Sequence, residues 1–193
     1  MHTLSCFPVA FYADEKRRAE LLPDMLAGGR LGAYCLSEPN SGSDAAALTT
    51  RAVRDGDGYT VDGVKAWITH GGAADFYTLM ARTSDDGVRG ISCFHVPAGT
   101  AGLSFGKPEH KMGLRSSPTA QVRFDGLRLP PEALTGGEGQ GFRIAMSALD
   151  GGRLGIAACA VGVAQAALDA ATAYAAERRQ FGSRIIDFQG VGF

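Results

Sequence analysis

The chain has no run of basic residues long enough to track a phosphate backbone, and its 19 lysines and arginines are balanced by 20 aspartates and glutamates to a net charge of −1. That balance argues against nucleic acid as a partner. The first residues lack the basic and apolar segments of a secretory signal, and no apolar run is read as approaching the roughly 20 residues that span a bilayer. A cytoplasmic protein with no membrane span is expected. Cysteine is scarce: Cys6, Cys35, Cys93 and Cys159 stand far apart, without the close pairs of a zinc site or the density of a disulfide scaffold, so no metal is expected. Reduced structural thiols fit best, with a redox thiol as the alternative. There is one tryptophan in 193 residues, which makes its surroundings informative.

What is present is a globular composition, 45% hydrophobic and 20% charged, and a pattern that changes twice. Near the start, Asp14 is placed to cap a helix carrying Leu21, Leu22, Met25 and Leu26, with Pro23 opening its second turn and Gly28-Gly29 ending it. From about Leu31 to Leu134 the period is two. The turn Asp55-Gly56-Asp57-Gly58 between Val53 and the alternating Tyr59 and Val61 signals a hairpin. Further strands are predicted over 76–82, 91–96 and 120–124. After the glycine cluster at 136–141, read as a hinge and not a nucleotide fingerprint, the period becomes helical. Leu149, Ile156, Ala160, Val163, Ala167, Ala170 and Tyr174 form one stripe, and Leu154, Ala158, Val161 and Leu168 fill much of the opposite side. A helix apolar on two sides needs two packing partners, so a longer helix-β-helix protein is expected, of which this chain is a part.

Four stretches carry possible chemistry. Tyr34 to Ala47, YCLSEPNSGSDAAA, gathers hydroxyls and unencumbered backbone N–H groups at Ser37, Asn40, Ser41, Gly42 and Ser43. It reads either as a cradle for a polar ligand or as an Asx/Ser turn in which Asp44 caps a short helical turn. In Lys65 to Gly72, KAWITHGG, Trp67 ends a strand beside Thr69. The pair offers a flat wall and a hydroxyl donor to a ligand, or else a core tryptophan at a strand end, with His70 an exposed turn residue. Asp150-Gly151-Gly152-Arg153 places two glycines inside the helical pattern, each costing about 1 kcal/mol relative to alanine. Something should approach closely there, with Arg153 a fixed cation, unless the helix begins near Gly152. Glu177 to Gly182, ERRQFG, suits either the negative pole of the preceding helix or a pyrophosphate.

The ordered set CLSEPNSGSDAAA, KAWITHGG, KMGLRSSPT, GGEGQGF, LDGGRLGIAA and ERRQFG resembles the acyl-CoA dehydrogenase family over nearly the whole chain. The resemblance implies an α+β architecture: residues 1–32 as the end of an N-terminal helical domain, 33–135 as a middle antiparallel β-barrel or sandwich domain, and 136–193 as the start of a C-terminal helical bundle. It implies FAD, with Tyr34, Leu36 and Ser37 along the flavin, Gly42 in the same cradle, and Trp67, Ile68 and Thr69 at the isoalloxazine. Arg178, Gln180, Phe188 and Gln189 match positions that touch the flavin of a neighbouring subunit, hence a homotetramer or homodimer. Ser43 would reach the CoA portion, and Asp150, Gly151, Gly152 and Arg153 would line the CoA and acyl side.

The implied reaction is α,β-dehydrogenation of an acyl-CoA to the enoyl-CoA. A carboxylate removes the α-proton, the β-hydrogen passes as hydride to the flavin, and an electron-transfer flavoprotein takes the electrons. The family's usual base is a glutamate expected beyond Phe193, and some members place it where this chain has Gly152, so no catalytic base is expected among these residues. GISCF at 90–94 and TAGLSFG at 100–106 resemble the isobutyryl-CoA and short-chain branch, which implies a role in fatty-acid or branched-chain amino-acid breakdown. An acyl-CoA oxidase and a non-catalytic flavin- or CoA-binding scaffold are the competing readings.

Overall fold

The computed structural model describes all 193 residues, which form two compact units, Met1–Gly152 and Arg153–Phe193. In the first, α1 (His2–Tyr12) and α2 (Glu15–Leu26) precede β1 (Gly32–Cys35), β2 (Arg51–Asp55), β3 (Gly58–Thr69), β4 (Phe76–Arg82), β5 (Ile91–Pro97), β6 (Leu103–Phe105), β7 (Thr119–Leu129) and β8 (Leu134–Thr135). The helix α3 (Gly141–Glu177) begins there and runs into the second unit.

The helix α2 and the four main strands fall where the sequence patterns predict them. Asp14 accepts the Arg17 amide at 2.8 Å as an N-cap, and β2 and β3 join through a two-residue turn in which Gly56 takes φ +62°. Helix α1 is an addition that the sequence reading missed. It has no side-chain cap and carries Pro8 in its interior, so local propensity argues against it. Tertiary contacts hold it: Cys6 and Val9 are buried, Thr78 Oγ1 donates to the Ser5 carbonyl at 2.7 Å, and the His2 ring bridges the Met25 carbonyl and the Gly32 amide.

The expectation of an antiparallel barrel or sandwich is corrected in two respects. The strands run in the order β6, β7, β3, β2, β4, β5, β8, with β1 also paired to β4, and the ends of this path do not close on each other. The pairings of β1 with β4 and of β2 with β4 are parallel. Hairpin signals report only neighbouring strands, whereas these partners are brought together by long connections. The single register pair Arg51 with Arg82 joins the two halves of the sheet. Tyr59, Val61, Val122 and Phe124 from one half share a buried core with Tyr77, Leu79, Phe94 and Val96 from the other. The β region is therefore an open, mixed sandwich.

The opposite face of β4 and β5 is also covered. Met80, Ile91 and Cys93 pack with Tyr34, Leu36, Ile144, Ala145 and Ala148, which is why β4 reads as a continuous apolar run. Gly141, at the first position of α3, lies so close to β5 that a Cβ there would stand 2.5 Å from the Ser92 carbonyl carbon. The glycine cluster, expected as a hinge, thus includes a close backbone approach.

His95 is buried on that face, with Phe76 at a ring separation of 5.3 Å and its Nδ1 without a hydrogen-bond partner. Burial, reinforced by the charges of Arg17 and Arg30 and opposed by Glu20, pushes its pKa down from 6.5 to about 4. The unfolded chain therefore binds a proton that the folded chain refuses, and stability present above pH 6.5 is lost as the pH falls toward 4. Urea midpoints measured across that window should decline in the wild type and decline less in His95→Leu; equal slopes would refute the assignment.

The second unit contains the C-terminal part of α3, a hairpin of β9 (Arg179–Gln180) and β10 (Ser183–Arg184), a 3-10 turn at Ile185–Asp187 and the short α4 (Gln189–Gly192). Leu154, Ile156, Val161, Val163, Leu168 and Tyr174 are all exposed. The expectation that no apolar run approaches membrane-spanning length is corrected, because α3 is long and apolar enough to cross a membrane by length and composition. Its alanines, valines and leucines raise the hydropathy, and Asp169 is the sole charge from Leu154 to Ala176. The central helix of a soluble bundle meets the same description.

Candidate functional site

The four stretches singled out in the sequence divide between the units. In the first unit, β1 ends at Cys35 and delivers Leu36 to Thr50 as a loop along β3. The chain reverses tightly over Glu38–Ser41, where the two residues exchange backbone hydrogen bonds of 2.7 and 3.2 Å. The Ser41 hydroxyl donates to the Asp44 carbonyl at 2.8 Å. Asp44 does not cap the following 3-10 turn with its side chain, and Gly42 and Ser43 are exposed at the tip. The anticipated Asx-type cap is absent; the seryl hydroxyl at 41 organises the turn instead.

Strand β3 is irregular where it meets this loop. Lys65 pairs with Val122 and Ile68 with Ala120, so Ala66 and Trp67 together oppose Gln121 in a β-bulge. Trp67 takes a left-handed φ of +56° and is 57% exposed. A bulky residue in that region stores strain of about 1–3 kcal/mol. The bulge turns the one indole outward, and the Ala66 amide donates to the Ser37 carbonyl at 2.9 Å, fixing the tryptophan segment beside the loop. Thr69, half-buried, ends the strand opposite Thr119, and Ile68 points into the core. The expectation of a tryptophan at the strand end is thus refined to one in a bulge two residues earlier. His70 is more engaged than a free turn residue: at φ +66° its Nδ1–H donates to the Gly32 carbonyl at 3.0 Å.

Tyr34 and Leu36 are buried, and the Tyr34 hydroxyl donates to the Ala145 carbonyl at 3.3 Å. Burial pushes the phenol pKa upward, with the neighbouring Cys93 adding to the shift. Their side chains serve the core, so any contact with a ligand would fall to backbone groups, of which the Leu36 carbonyl is already bound by Lys65. Asp150 and Gly151 are exposed on α3, with open space around Gly151. At Gly152 the close approach implied by the paired glycines is made by a side chain, because a Cβ there would lie 3.0 Å from the Leu4 side chain of α1. The helix does not begin at Gly152; it runs through from Gly141.

The loop is held by residues that the sequence reading did not assign. Lys65 is fully buried, and its ammonium donates to Glu38 Oε1 at 2.8 Å and to the Leu36 carbonyl at 2.9 Å. Glu38, also buried, accepts from the Thr49 amide and hydroxyl at 2.7 and 2.8 Å and from the Thr50 amide at 2.9 Å. Burial works against the ionised carboxyl, but the ammonium and these donors outweigh it and hold the pKa down to about 2. Burial lowers the Lys65 pKa, against the pull of Glu38. Arg82 forms a second clamp, donating to the Ala46 carbonyl at 2.7 Å and the Leu48 carbonyl at 3.2 Å. One signal for Lys65 was present in the alternation, since Tyr59, Val61 and Lys65 fall on one face of β3 and all three are buried.

In the second unit, Arg178 follows the end of α3 and its amide donates to the Tyr174 carbonyl at 2.8 Å. Arg178 is exposed just before the β9–β10 hairpin and Gln180 within it; the two turn residues, Phe181 and Gly182, take φ +50° and +82°. Glycine accommodates this geometry readily and phenylalanine does not. Phe181 is nonetheless 96% exposed, with Phe188 edge-on at 6.4 Å. Arg153 and Gln189 are exposed as well.

A cleft of about 800 Å³ in the first unit, lined by α2 residues, His95 and the segment from Arg128 to Leu134, contains none of these residues. The features with ligand-directed geometry are the strained indole and the clamped loop beside it. A planar, partly apolar group fits the indole, and the hydroxyls and amides of the loop suit polar edges, so the residues present are compatible with a flavin.

Comparison with known proteins shows the family. Residues 33–127 match the acyl-CoA dehydrogenase middle domain and residues 139–193 the acyl-CoA dehydrogenase C-terminal domain. The mitochondrial isobutyryl-CoA dehydrogenase of Dictyostelium discoideum is 44% identical over 194 residues, covering 100% of this chain and 47% of the relative. Butyryl-CoA dehydrogenase from Megasphaera elsdenii superposes with a TM-score of 0.95 at 42% identity, covering 98% of this chain and 50% of that one. Glutaryl-CoA dehydrogenase from Mycobacterium smegmatis, in complex with FADH2, gives a TM-score of 0.90 at 36% identity, covering 98% and 48%. The chain spans about half the length of the relatives it matches. With both domain matches in order, and with the bulged tryptophan and clamped loop inside the first of them, the chain belongs to the acyl-CoA dehydrogenase family.

Proposed function

We propose that this chain supplies the flavin- and thioester-binding part of an acyl-CoA dehydrogenase that desaturates a short or branched acyl-CoA between its α and β carbons. The observation that carries the reading is Trp67, an exposed indole held at φ +56° in a bulge beside the Ser37 loop. Strain of this kind persists where the surrounding structure enforces it, and it gathers at ligand sites.

Trp67 would wall one side of the isoalloxazine and Thr69 would donate to its polar edge, with Ile68 holding both in place from the core. The backbone of Tyr34, Leu36 and Ser37, with Gly42, would follow the remaining polar edge. FAD, when bound, supplies the acceptor for the two electrons and the hydrogen leaving the β carbon. Ser43 at the exposed tip would meet the CoA portion. Asp150, Gly151, Gly152 and Arg153 would line the CoA and acyl side of the substrate, Arg153 as a cation at that site and Gly152 as a position without a carboxylate.

The general base is accordingly assigned to residues outside 1–193. Arg178, Gln180, Phe188 and Gln189 would touch the flavin of a second copy in a homodimer or homotetramer, which gives the strained, exposed Phe181 hairpin a contact to make. Electrons would pass to an electron-transfer flavoprotein, and the protein would work in the cytosol. The domain limits consistent with this reading are 1–32, 33–135 and 136–193, with α3 the first long helix of the C-terminal bundle.

Trp67→Gly separates this reading from a purely structural tryptophan. Relief of the left-handed strain should leave the flavin-free protein as stable or about 1 kcal/mol more stable. Loss of the aromatic wall should weaken FAD about tenfold, equivalent to about 1.4 kcal/mol. Flavin fluorescence titration and urea unfolding measure the two effects. Unchanged FAD affinity in the variant would remove the basis of the proposal.

A further inference from the structure

The buried pair Lys65–Glu38 lies at the root of the loop, and of the backbone assigned to a ligand it touches only the Leu36 carbonyl. Its four other hydrogen bonds all go to the two ends of that loop. Lys65 holds the Leu36 carbonyl at 2.9 Å; Glu38 holds the Thr49 amide and hydroxyl and the Thr50 amide at 2.7–2.9 Å. An ion pair thus ties residue 36 to residues 49 and 50 across the intervening turn.

We propose that Lys65 and Glu38 are positioning residues that preset the 36–50 loop for its ligand. The inference rests on the flavin reading for the identity of that ligand. The Lys65 contact also fixes one peptide plane: in a trans peptide the C=O and N–H point in opposite directions, so anchoring the Leu36 oxygen aims the Ser37 N–H away from the buried ammonium. The cation polarises the same peptide and strengthens its N–H as a donor. The Ser37 carbonyl is held in turn by the Ala66 amide, next to Trp67. Both ends of the Ser37 backbone are therefore set before a ligand arrives, and its orientation is coupled to that of the indole.

The alternative is a pair that only stabilises the fold. An ion pair of this kind can be exchanged for neutral groups with little net loss of stability, whereas removal of one charge is costly. The double variant Glu38→Gln/Lys65→Met therefore separates the two roles. In the intact protein it should recover most of the urea midpoint lost by Lys65→Met alone.

Its FAD dissociation constant, measured by fluorescence titration, should still rise about tenfold, as expected if the competent loop conformation falls to about a tenth of the population. In the flavin-free protein, amide hydrogen exchange should accelerate within residues 37–50, while β4 and β5 keep their protection. Wild-type exchange across the loop together with wild-type FAD affinity would overturn the proposal. If the wild type itself binds no FAD, the flavin reading fails, and exchange alone decides: acceleration confined to the loop supports positioning, and unchanged exchange overturns it.

Discussion

Replacing Lys65 with methionine is expected to lower the unfolding free energy by about 3–5 kcal/mol, the cost of leaving a buried charge without its partner. The substitution keeps the unbranched apolar stem and removes only the ammonium, so packing around the stem changes little. Glu38 would then be a carboxylate with almost no solvent contact, still accepting from Thr49 and Thr50 but lacking its countercharge. Its pKa, held down to about 2 in the native chain, should climb, since the ammonium is the largest of the groups that oppose burial. Urea denaturation at neutral pH checks the magnitude. The deficit should shrink as the pH is lowered and Glu38 becomes neutral, whereas a loss that does not depend on pH would point to packing. A loss below about 1 kcal/mol, the scale of an exposed ion pair, would contradict the burial of this one.

Gly141→Ala is expected to cost about 3 kcal/mol, at the upper end for an inserted methyl group. The added Cβ would stand 2.5–2.7 Å from the carbonyl carbon, Cα and oxygen of Ser92. All three are backbone atoms of a paired strand, so no flexible side chain can give way. Relief requires the first turn of α3 to lift from β5, and that turn carries Ile144 and Ala145 into the core shared with Tyr34 and Leu36. The hydrogen bond from the Tyr34 hydroxyl to the Ala145 carbonyl would be strained with it. Urea unfolding gives the stability, and faster hydrogen exchange at Ile91 to Phe94 would locate the damage. A variant that kept wild-type stability would mean that α3 does not approach β5 so closely. By contrast, Gly151→Ala on the same helix meets open space and should be neutral or slightly stabilising.

These two substitutions mark the boundary between sequence and fold. The family is recognisable from six stretches in order, CLSEPNSGSDAAA, KAWITHGG, KMGLRSSPT, GGEGQGF, LDGGRLGIAA and ERRQFG, because together they combine unusual residues in a fixed succession. The hairpin at Gly56 and the helix from Gly141 to Glu177 were legible because turn chemistry and apolar periodicity are local. Helix α1 was not, because its own residues disfavour it and only burial of Cys6 and Val9 compensates. The parallel pairings of β1 and β2 with β4 were hidden for a related reason: no local signal records which distant strand will lie alongside.

At the candidate site the division is the same. By itself the sequence determined that Trp67, Thr69 and the Ser37–Ser43 run belong to a recognisable motif set, and that Gly152 carries no carboxylate. Only the tertiary structure decided that Trp67 faces outward, because that depends on a bulge against β7. It also decided that Gly152 adjoins Leu4, and that Lys65 meets Glu38 across 27 residues of chain. Ion pairing over such a separation is set by how strands stack and by how much solvent they exclude, and neither quantity is carried by a residue and its neighbours in sequence.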